Sequence, residues 1–411
     1  MFPWSPSKKK GPAATNVAVQ QAVVVAREPG FGVASKCTAL VTGSSGLCGA
    51  RLVEMLLERG ASTVIAFDVA APDAILTQRF ADIQQTTGGK IIVCSGAAGD
   101  LTSDEAVKAA FQKAPKIDAC FHIGALVGPF HDRDKYMAVN YHGTVRIIDA
   151  CKTFKVPKLV YSSSPSTRFT GKDVMGQRED ELPMPTKWLA MYAEGKAHGE
   201  MAVSAACCDD LMTVSVAPHQ IYGPHDHLFL TALLETAGNE RLRIFGPGRN
   251  KISVCYVDNY CHGLLCGADA LVKDSPALGQ FYIVTDGEPV YFWDMLNEAI
   301  LAMGFTDLNT KLHLPVWLLY SIAYIANVVG WMLNRKLKLN PFNVKMLTIH
   351  RYFSIENALR DLKYQPVVPH EKAWPSTIAW FQEHWLPAFL EKTGKTVTSS
   401  GTGTAKGGKM D

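Results

Sequence analysis

The chain has 411 residues, 47% of them hydrophobic, with 41 basic and 38 acidic side chains and a formal net charge of +3. That length and apolar content suffice for a large core and exclude a disordered or fibrous chain. The near balance of charge provides no field that would select nucleic acid as a partner.

Residues 1–34 carry Pro, Gly and Ala without sustained periodicity and read as a flexible N-terminal segment. Lys8, Lys9 and Lys10 precede an apolar run, but Gln20 and Gln21 interrupt it, which makes a poor signal peptide. From residue 37, short β-type runs alternate with helical patterns: 37–43, 62–68, 90–96, 119–125, 158–164 and 211–217. The pattern predicts an α/β fold, a doubly wound parallel sheet of the Rossmann type covered on both faces by helices, with a smaller C-terminal substrate lobe. Residues 35–217 are assigned to the dinucleotide-binding domain, with 251–272 returning to it. Residues 218–392 form the lobe, and 393–411 a disordered Gly/Ser/Thr-rich tail.

The first predicted strand runs into Thr42-Gly43-Ser44-Ser45-Gly46-Leu47-Cys48-Gly49 and then a helical pattern that Gly60 can terminate. Glycines at 43, 46 and 49 permit a tight turn, close approach of a pyrophosphate to backbone N–H groups, and tight helix packing. Asp68 closes the second strand, where a carboxylate can take both ribose hydroxyls and repel a 2′-phosphate, so NAD is expected over NADP.

The fifth strand ends in Tyr161-Ser162-Ser163-Ser164, at the carboxyl edge where ligands bind in such sheets. Ser164 is the candidate for orienting a substrate oxygen, with Ser163 the neighbour it can be confused with. Tyr192 and Lys196 stand four residues apart and share a helix face. An ammonium near the phenol, with a nicotinamide ribose between them, favours the phenolate and lets Tyr192 accept an alcohol proton. Asn140 is read either as a group in a proton path or as a helix cap. The ten cysteines have no Cys-x-x-Cys pair and read as thiols, mostly buried, in a reducing compartment. His219, His225 and His227 surround a turn with no accompanying carboxylate or thiol set, so no metal is expected.

In this order the motifs resemble the extended short-chain dehydrogenase/reductase superfamily over roughly residues 36–372. Within it they resemble the 3β-hydroxysteroid dehydrogenase group, through YSSSPSTRF (161–169), APHQIYGPHDH (217–227), ISVCYVDNYCHGLL (252–265), GQFYIVTDGEPVYFWDML (279–296) and HRYFSIENALRDLKYQP (350–366). The resemblance implies Gly43, Gly46 and Gly49 at the pyrophosphate and Asp68 at the ribose. It puts Asp100 and Leu101 near adenine, Pro218 beside the nicotinamide, and Ser164, Tyr192 and Lys196 in catalysis; Ser45, Leu47 and Ala125 join the expected cofactor contacts. Gly124, where the superfamily usually has alanine, and Ala217-Pro218, where it often has Arg-Pro, are departures. The implied reaction is oxidation of a 3β-hydroxysterol, with CO2 loss from the β-keto acid when a 4α-carboxylate is present. Arg351 is the candidate cation for that carboxylate, or else a surface salt-bridging arginine. The rival readings are a nucleotide-sugar epimerase or dehydratase and a non-enzymatic NAD(H)-binding regulatory protein.

Residues 312–333 lack charge apart from His313 when protonated, and Lys311, Arg335, Lys336 and Lys338 flank them. This stretch is expected to associate with a membrane, lying in the interface rather than spanning, since spanning would separate residues 350–354 from the nucleotide site. A helix buried in the lobe is the alternative. The resemblance implies the endoplasmic reticulum, with the catalytic domain facing the cytosol; a homodimer is compatible with it.

Overall fold

The computed structural model describes residues 36–128, 131–332 and 340–395. The expected flexible segment 1–34 and nearly all of the tail from 393 lie outside the described residues.

Seven strands form one sheet: β1 (Thr38–Thr42), β2 (Thr63–Asp68), β3 (Lys90–Ser95), β4 (Ala119–His122), β5 (Lys158–Ser162), β6 (Met212–Pro218) and β7 (Phe281–Val284). Their order is β7-β6-β5-β4-β1-β2-β3 and every pairing is parallel. The order reverses between β1 and β4, which opens a crevice at their carboxyl ends. Leu40, Val41, Val64, Ile65, Phe121 and Val160 are fully buried, as strands covered on both faces must be. The fold class expected above is thus the one observed.

The helices used below are α1 (Leu47–Glu58), α2 (Ala74–Thr87), α3 (Asp104–Phe111), α4 (Gly143–Thr153), α5 (Met191–Ala205), α6 (Leu230–Gly238), α7 (Val257–Ala270), α8 (Phe292–Ala302), α9 (Val316–Met332) and α10 (Pro341–Met346). One apolar core joins the sheet to α1, α2 and α7; a second joins the opposite face to α3, α4 and the end of α5. Gly60, at φ +96°, follows α1 in the left-handed conformation that its sequence position suggests.

A third core, around Tyr222, Trp293, Trp374 and Phe381, belongs to the lobe. Its four-stranded sheet has the order Val290–Tyr291, Lys251–Ile252, Arg351–Phe353, Val174–Gln177. The boundary drawn at 217/218 is therefore crossed twice. Val174–Gln177 leaves the nucleotide half to pair with Arg351–Phe353, and Phe281–Val284 returns from the lobe as the seventh strand. Short strands completed by distant partners carry little local signal, which is why a cut by composition misplaces both.

The predicted apolar helix is shorter than the 312–333 stretch, beginning at Val316. Among the described residues no helix is long and apolar enough to cross a membrane.

Candidate active site

The carboxyl ends of β1, β2, β4 and β5 bring most of the expected residues to one edge. Gly43 turns the chain at φ +71° immediately after β1, and its backbone lies against Gly124, just past β4: a Cβ at 43 would stand 2.8 Å from the Gly124 Cα. A Cβ on Gly49 would sit 1.9 Å from the Gly43 carbonyl oxygen, so α1 can pack this tightly only with glycine there. Gly46 is the N-cap of α1, and no side chain caps its first turn, in which no acid stands. The helix therefore offers uncapped N–H groups at a bare, close-approach turn, with Leu47 its first residue. That arrangement fits the pyrophosphate of a dinucleotide.

Asp68 is fixed beside this turn. Its Oδ2 accepts from the Ser45 N–H at 2.9 Å and its Oδ1 from the Ala70 N–H at 2.9 Å, which leaves further lone pairs for ribose hydroxyls. Gly99 lets the turn that bears Asp100 and Leu101 pass over the Asp68 carbonyl; a Cβ there would be 2.0 Å from that oxygen. Leu101 packs against Gly124, and an alanine at 124 would press on Leu101, the Gly43 amide and Thr42, which accounts for the glycine at this position. Ala125 follows it, half-buried, in the loop after β4.

That loop is held by residues whose role the sequence did not disclose. The Asn140 carboxamide takes both backbone groups of Leu126, accepting its N–H at 2.8 Å and donating to its carbonyl at 3.0 Å, so it holds a carbonyl, as the reading of Asn140 as the holder of a water or a carbonyl has it, and caps no helix through its side chain. Beneath it, the Gly124 N–H donates to the Thr42 hydroxyl, which donates to His122 Nδ1. His122 Nε2 then meets the Thr144 hydroxyl, which donates to the Asn140 carbonyl. These directions fix the tautomer with the proton on Nε2. Burial, and then the Lys196 charge, push the His122 titration down to about 3, so the ring is neutral.

Helix α5 carries the catalytic candidates. Gly195 and Gly199, one turn apart, allow it to lie directly on the wide turn Met137–His142, since a Cβ at 199 would be 2.7 Å from the Asn140 carbonyl. Tyr192 is half-buried; burial pushes its phenol up to about 12, and a hydrogen bond from Ser164 opposes that rise. Ser164 Oγ accepts from the Ser166 N–H at 3.2 Å and the Ser166 hydroxyl at 2.9 Å, which leaves its single proton for the Tyr192 oxygen. Cys48, in the first turn of α1, lies within electrostatic range of the phenol. Ser163 points elsewhere, donating to the buried Glu200 carboxylate at 2.6 Å.

Lys196 departs from the expected geometry. Its ammonium donates to the Ser162 carbonyl and lies 4.2 Å from the centre of the Tyr161 ring. The phenol at Tyr192 is raised chiefly by burial, and Lys196 is not among the groups that act on it here. Burial also brings Lys196 down to about 7, with Glu200 resisting.

Pro218 ends β6, and the next residue, His219, is buried. His219 Nδ1 donates to the Ser253 carbonyl at 2.7 Å, so Nε2 accepts from Arg351 Nη1 at 3.1 Å. Arg351 Nη2 donates to the Met346 carbonyl at 2.9 Å, while its buried Nε has no hydrogen-bond partner. No ion pair engages Arg351 among the described residues, and burial pulls its guanidinium down to about 10. It is thus not the surface salt-bridging arginine of the alternative reading. Among the described residues no group of three or more His, Cys, Asp and Glu is arranged to hold a metal, and all ten cysteines are free thiols.

Comparison with known proteins accords with this geometry. Residues 40–316 match the model of the 3-beta hydroxysteroid dehydrogenase/isomerase family. The chain is 29% identical to human sterol-4-alpha-carboxylate 3-dehydrogenase, decarboxylating, over 85% of its own length and 89% of the relative. It is 32% identical to a 2-alkyl-3-oxoalkanoate reductase of Stenotrophomonas maltophilia, over 81% and 96%. Its fold resembles that of an epimerase from Methanothermobacter thermautotrophicus, with a TM-score of 0.65 at 20% identity, covering 88% of this chain and 96% of that one.

Proposed function

The chain belongs to the 3-beta hydroxysteroid dehydrogenase/isomerase family, and from that premise we propose that it oxidises the 3β-hydroxyl of a sterol to the ketone. The observation that carries the reading is the Ser164 hydroxyl, itself accepting from Ser166, lying near enough to the Tyr192 phenol to oppose the rise that burial causes. Bound NAD supplies the hydride acceptor. Ser164, polarised by Ser166, orients the substrate oxygen, and Tyr192 takes the hydroxyl proton. Lys196, one turn along the same helix, is the cation that would hold a ribose hydroxyl of the bound dinucleotide. NAD is favoured over NADP because the Asp68 carboxylate stands where a 2′-phosphate would add a like charge.

The names of both relatives put a carboxylate one carbon from the carbon that is oxidised or reduced. We therefore favour a β-hydroxy acid substrate, a sterol bearing a 4α-carboxylate, whose 3-keto product loses CO2 readily. Arg351, half-buried against His219 and without a counter-ion among the described residues, is the cation we assign to that carboxylate. The test is to incubate the purified protein with NAD+ and 3β-hydroxysterols with and without a 4α-carboxyl, following NADH and CO2. NADH with stoichiometric CO2 from carboxylated sterols alone is expected. Tightly retained NAD with no net NADH would support the epimerase alternative, and turnover of 2-alkyl-3-oxoalkanoates in preference to every sterol would displace the sterol.

We further propose that α9 lies in a membrane interface, with the catalytic half in the cytosol at the endoplasmic reticulum. Its 17 residues make about 25 Å of helix, short of the roughly 30 Å apolar layer. Leu319 and Ala323 pack with Val344 of α10, whereas Trp317, Tyr324, Ile325, Val328 and Met332 are exposed. Arg335, Lys336 and Lys338 follow it in the sequence, as the polar flank of an interfacial helix would, whereas Lys311 is paired with Glu240 at 2.7 Å.

A further inference from the structure

Helix α5 continues past Tyr192 and Lys196 to a third polar residue on the same face. Glu200 is four positions beyond Lys196 and eight beyond Tyr192, and it is buried, 4% exposed. Its carboxylate is fully engaged. Oε1 pairs with Arg168 Nη1, and Oε2 accepts from the Ser163 hydroxyl at 2.6 Å, with the Thr167 hydroxyl oxygen 3.3 Å away. All three partners lie on the short segment that follows β5, the segment that carries Ser164.

Arg168 is itself enclosed. Its guanidinium carbon lies 3.6 Å from the centre of the Phe281 ring on β7, Nη1 also donates to Thr167 Oγ1 at 2.7 Å, and Nε has no partner. The Thr167 hydroxyl bonds the Ser164 carbonyl at 2.8 Å. One buried ion pair therefore ties together the catalytic helix, the seventh strand and the loop whose hydroxyl reaches Tyr192. Burying an ion pair is not an efficient source of stability, because desolvation cancels most of the attraction. What such a pair does supply is a defined geometry, since each charge must find the other.

We propose that Glu200 is a positioning residue that, through Arg168, sets the Ser164 hydroxyl against the Tyr192 oxygen. The inference rests on the dehydrogenase reading of Tyr192 and Ser164. The Glu200 charge also bears on Lys196, whose other neighbours are the Tyr161 ring, the Ser162 carbonyl and the neutral His122.

The test uses the full-length protein and three variants: Arg168→Met, Glu200→Gln and the double variant. Each single change strands one buried charge, so kcat is expected to fall 10- to 100-fold while KM for NAD+ stays within about two-fold, because the glycine turn is untouched. The double variant strands neither charge but has lost the pair, so it should fold while its kcat stays about as low as in the single variants; recovery to within two-fold of wild type would overturn the positioning role and assign the single-variant losses to a stranded charge. Glu200→Asp keeps the charge but retracts it by one methylene; it serves if the single variants fail to fold, and should lower kcat with KM for NAD+ unchanged. Hydrogen exchange over residues 163–169 gives a readout that needs no substrate, and protection should be lost in each single variant and in the double. If wild type turns over no hydroxysterol, the dehydrogenase reading fails and the exchange result still decides the positioning role. Folded single variants with kcat within two-fold of wild type, or with unchanged protection of 163–169, would overturn the proposal.

Discussion

The Asp68 carboxylate accepts the Ser45 N–H across the mouth of the glycine turn at 2.9 Å, so the group we propose to select the ribose also braces the loop we propose to cradle the pyrophosphate. Two expectations follow for Asp68→Ala. The kcat/KM for NAD should fall by at least about ten-fold, from lost ribose contacts and a loosened turn, and the NAD/NADP preference should narrow or invert. Steady-state kinetics with both dinucleotides check this, and an unchanged ratio would remove Asp68 from the cofactor site.

Gly49 and Gly46 separate folding from binding. Gly49→Ala drives a Cβ to within 1.9 Å of a carbonyl oxygen, and should leave little folded protein. Gly46→Ala meets only an ordinary 3.5 Å contact and should fold normally, yet it places a methyl group where the pyrophosphate approaches. Thermal melting together with NADH fluorescence titration distinguishes the two. A Gly46→Ala protein that binds NADH as wild type does would place the nucleotide elsewhere.

Tyr192→Phe removes the proton acceptor and should lower kcat by about 100-fold or more with NAD+ binding intact. Ser164→Ala should act in the same direction, whereas Ser163→Ala should leave the Tyr192 contact in place and cost less. Equal effects from the two serines would mean that the Ser164 contact with Tyr192 has no special part in the reaction.

Stability should decline on mild acidification through two buried imidazoles. His122 and His219 both titrate near 3 in the folded chain, in each case chiefly because of burial, against about 6.5 when unfolded. The depressed value means that protons bind the unfolded chain more readily, so the contribution is complete above about pH 6.5 and is lost as pH falls toward 3. Between pH 7.5 and 5.5 each ring should cost about 1.4 kcal/mol. Urea unfolding at the two pH values measures it, and His122→Asn should flatten the dependence by about half.

The exposed apolar side of α9 makes a separate prediction. Replacing Trp317, Ile325 and Val328 together by Gln should abolish co-sedimentation with anionic phospholipid vesicles without lowering the melting temperature, because none of the three packs into the protein. A variant that still sediments with vesicles would assign membrane contact to another surface.

What could be read in advance follows from range. Strands of a buried parallel sheet are continuous apolar runs, so six of the seven showed locally, and the glycine turn and the Tyr192/Lys196 spacing are confined to eight or fewer residues. Asn140 gripping Leu126, Arg351 meeting His219 and Arg168 meeting Glu200 pair groups whose separation in sequence encodes nothing of their contact. The direction of the Lys196 side chain was equally invisible, because a backbone carbonyl, which every residue possesses, claims it. Phe281–Val284 is apolar enough for a strand, but only its neighbour β6 decides that it joins the large sheet.

The pairing of Val174–Gln177 with Arg351–Phe353 also bears on how the protein is made. The two strands are roughly 175 residues apart, so at about 5 to 20 residues per second the earlier one waits about 9 to 35 seconds on the ribosome before its neighbour emerges. Throughout that interval it is an unprotected edge, open to pairing with another nascent chain. Yield in a cell should accordingly depend on holdase chaperones and on translation speed between these two points.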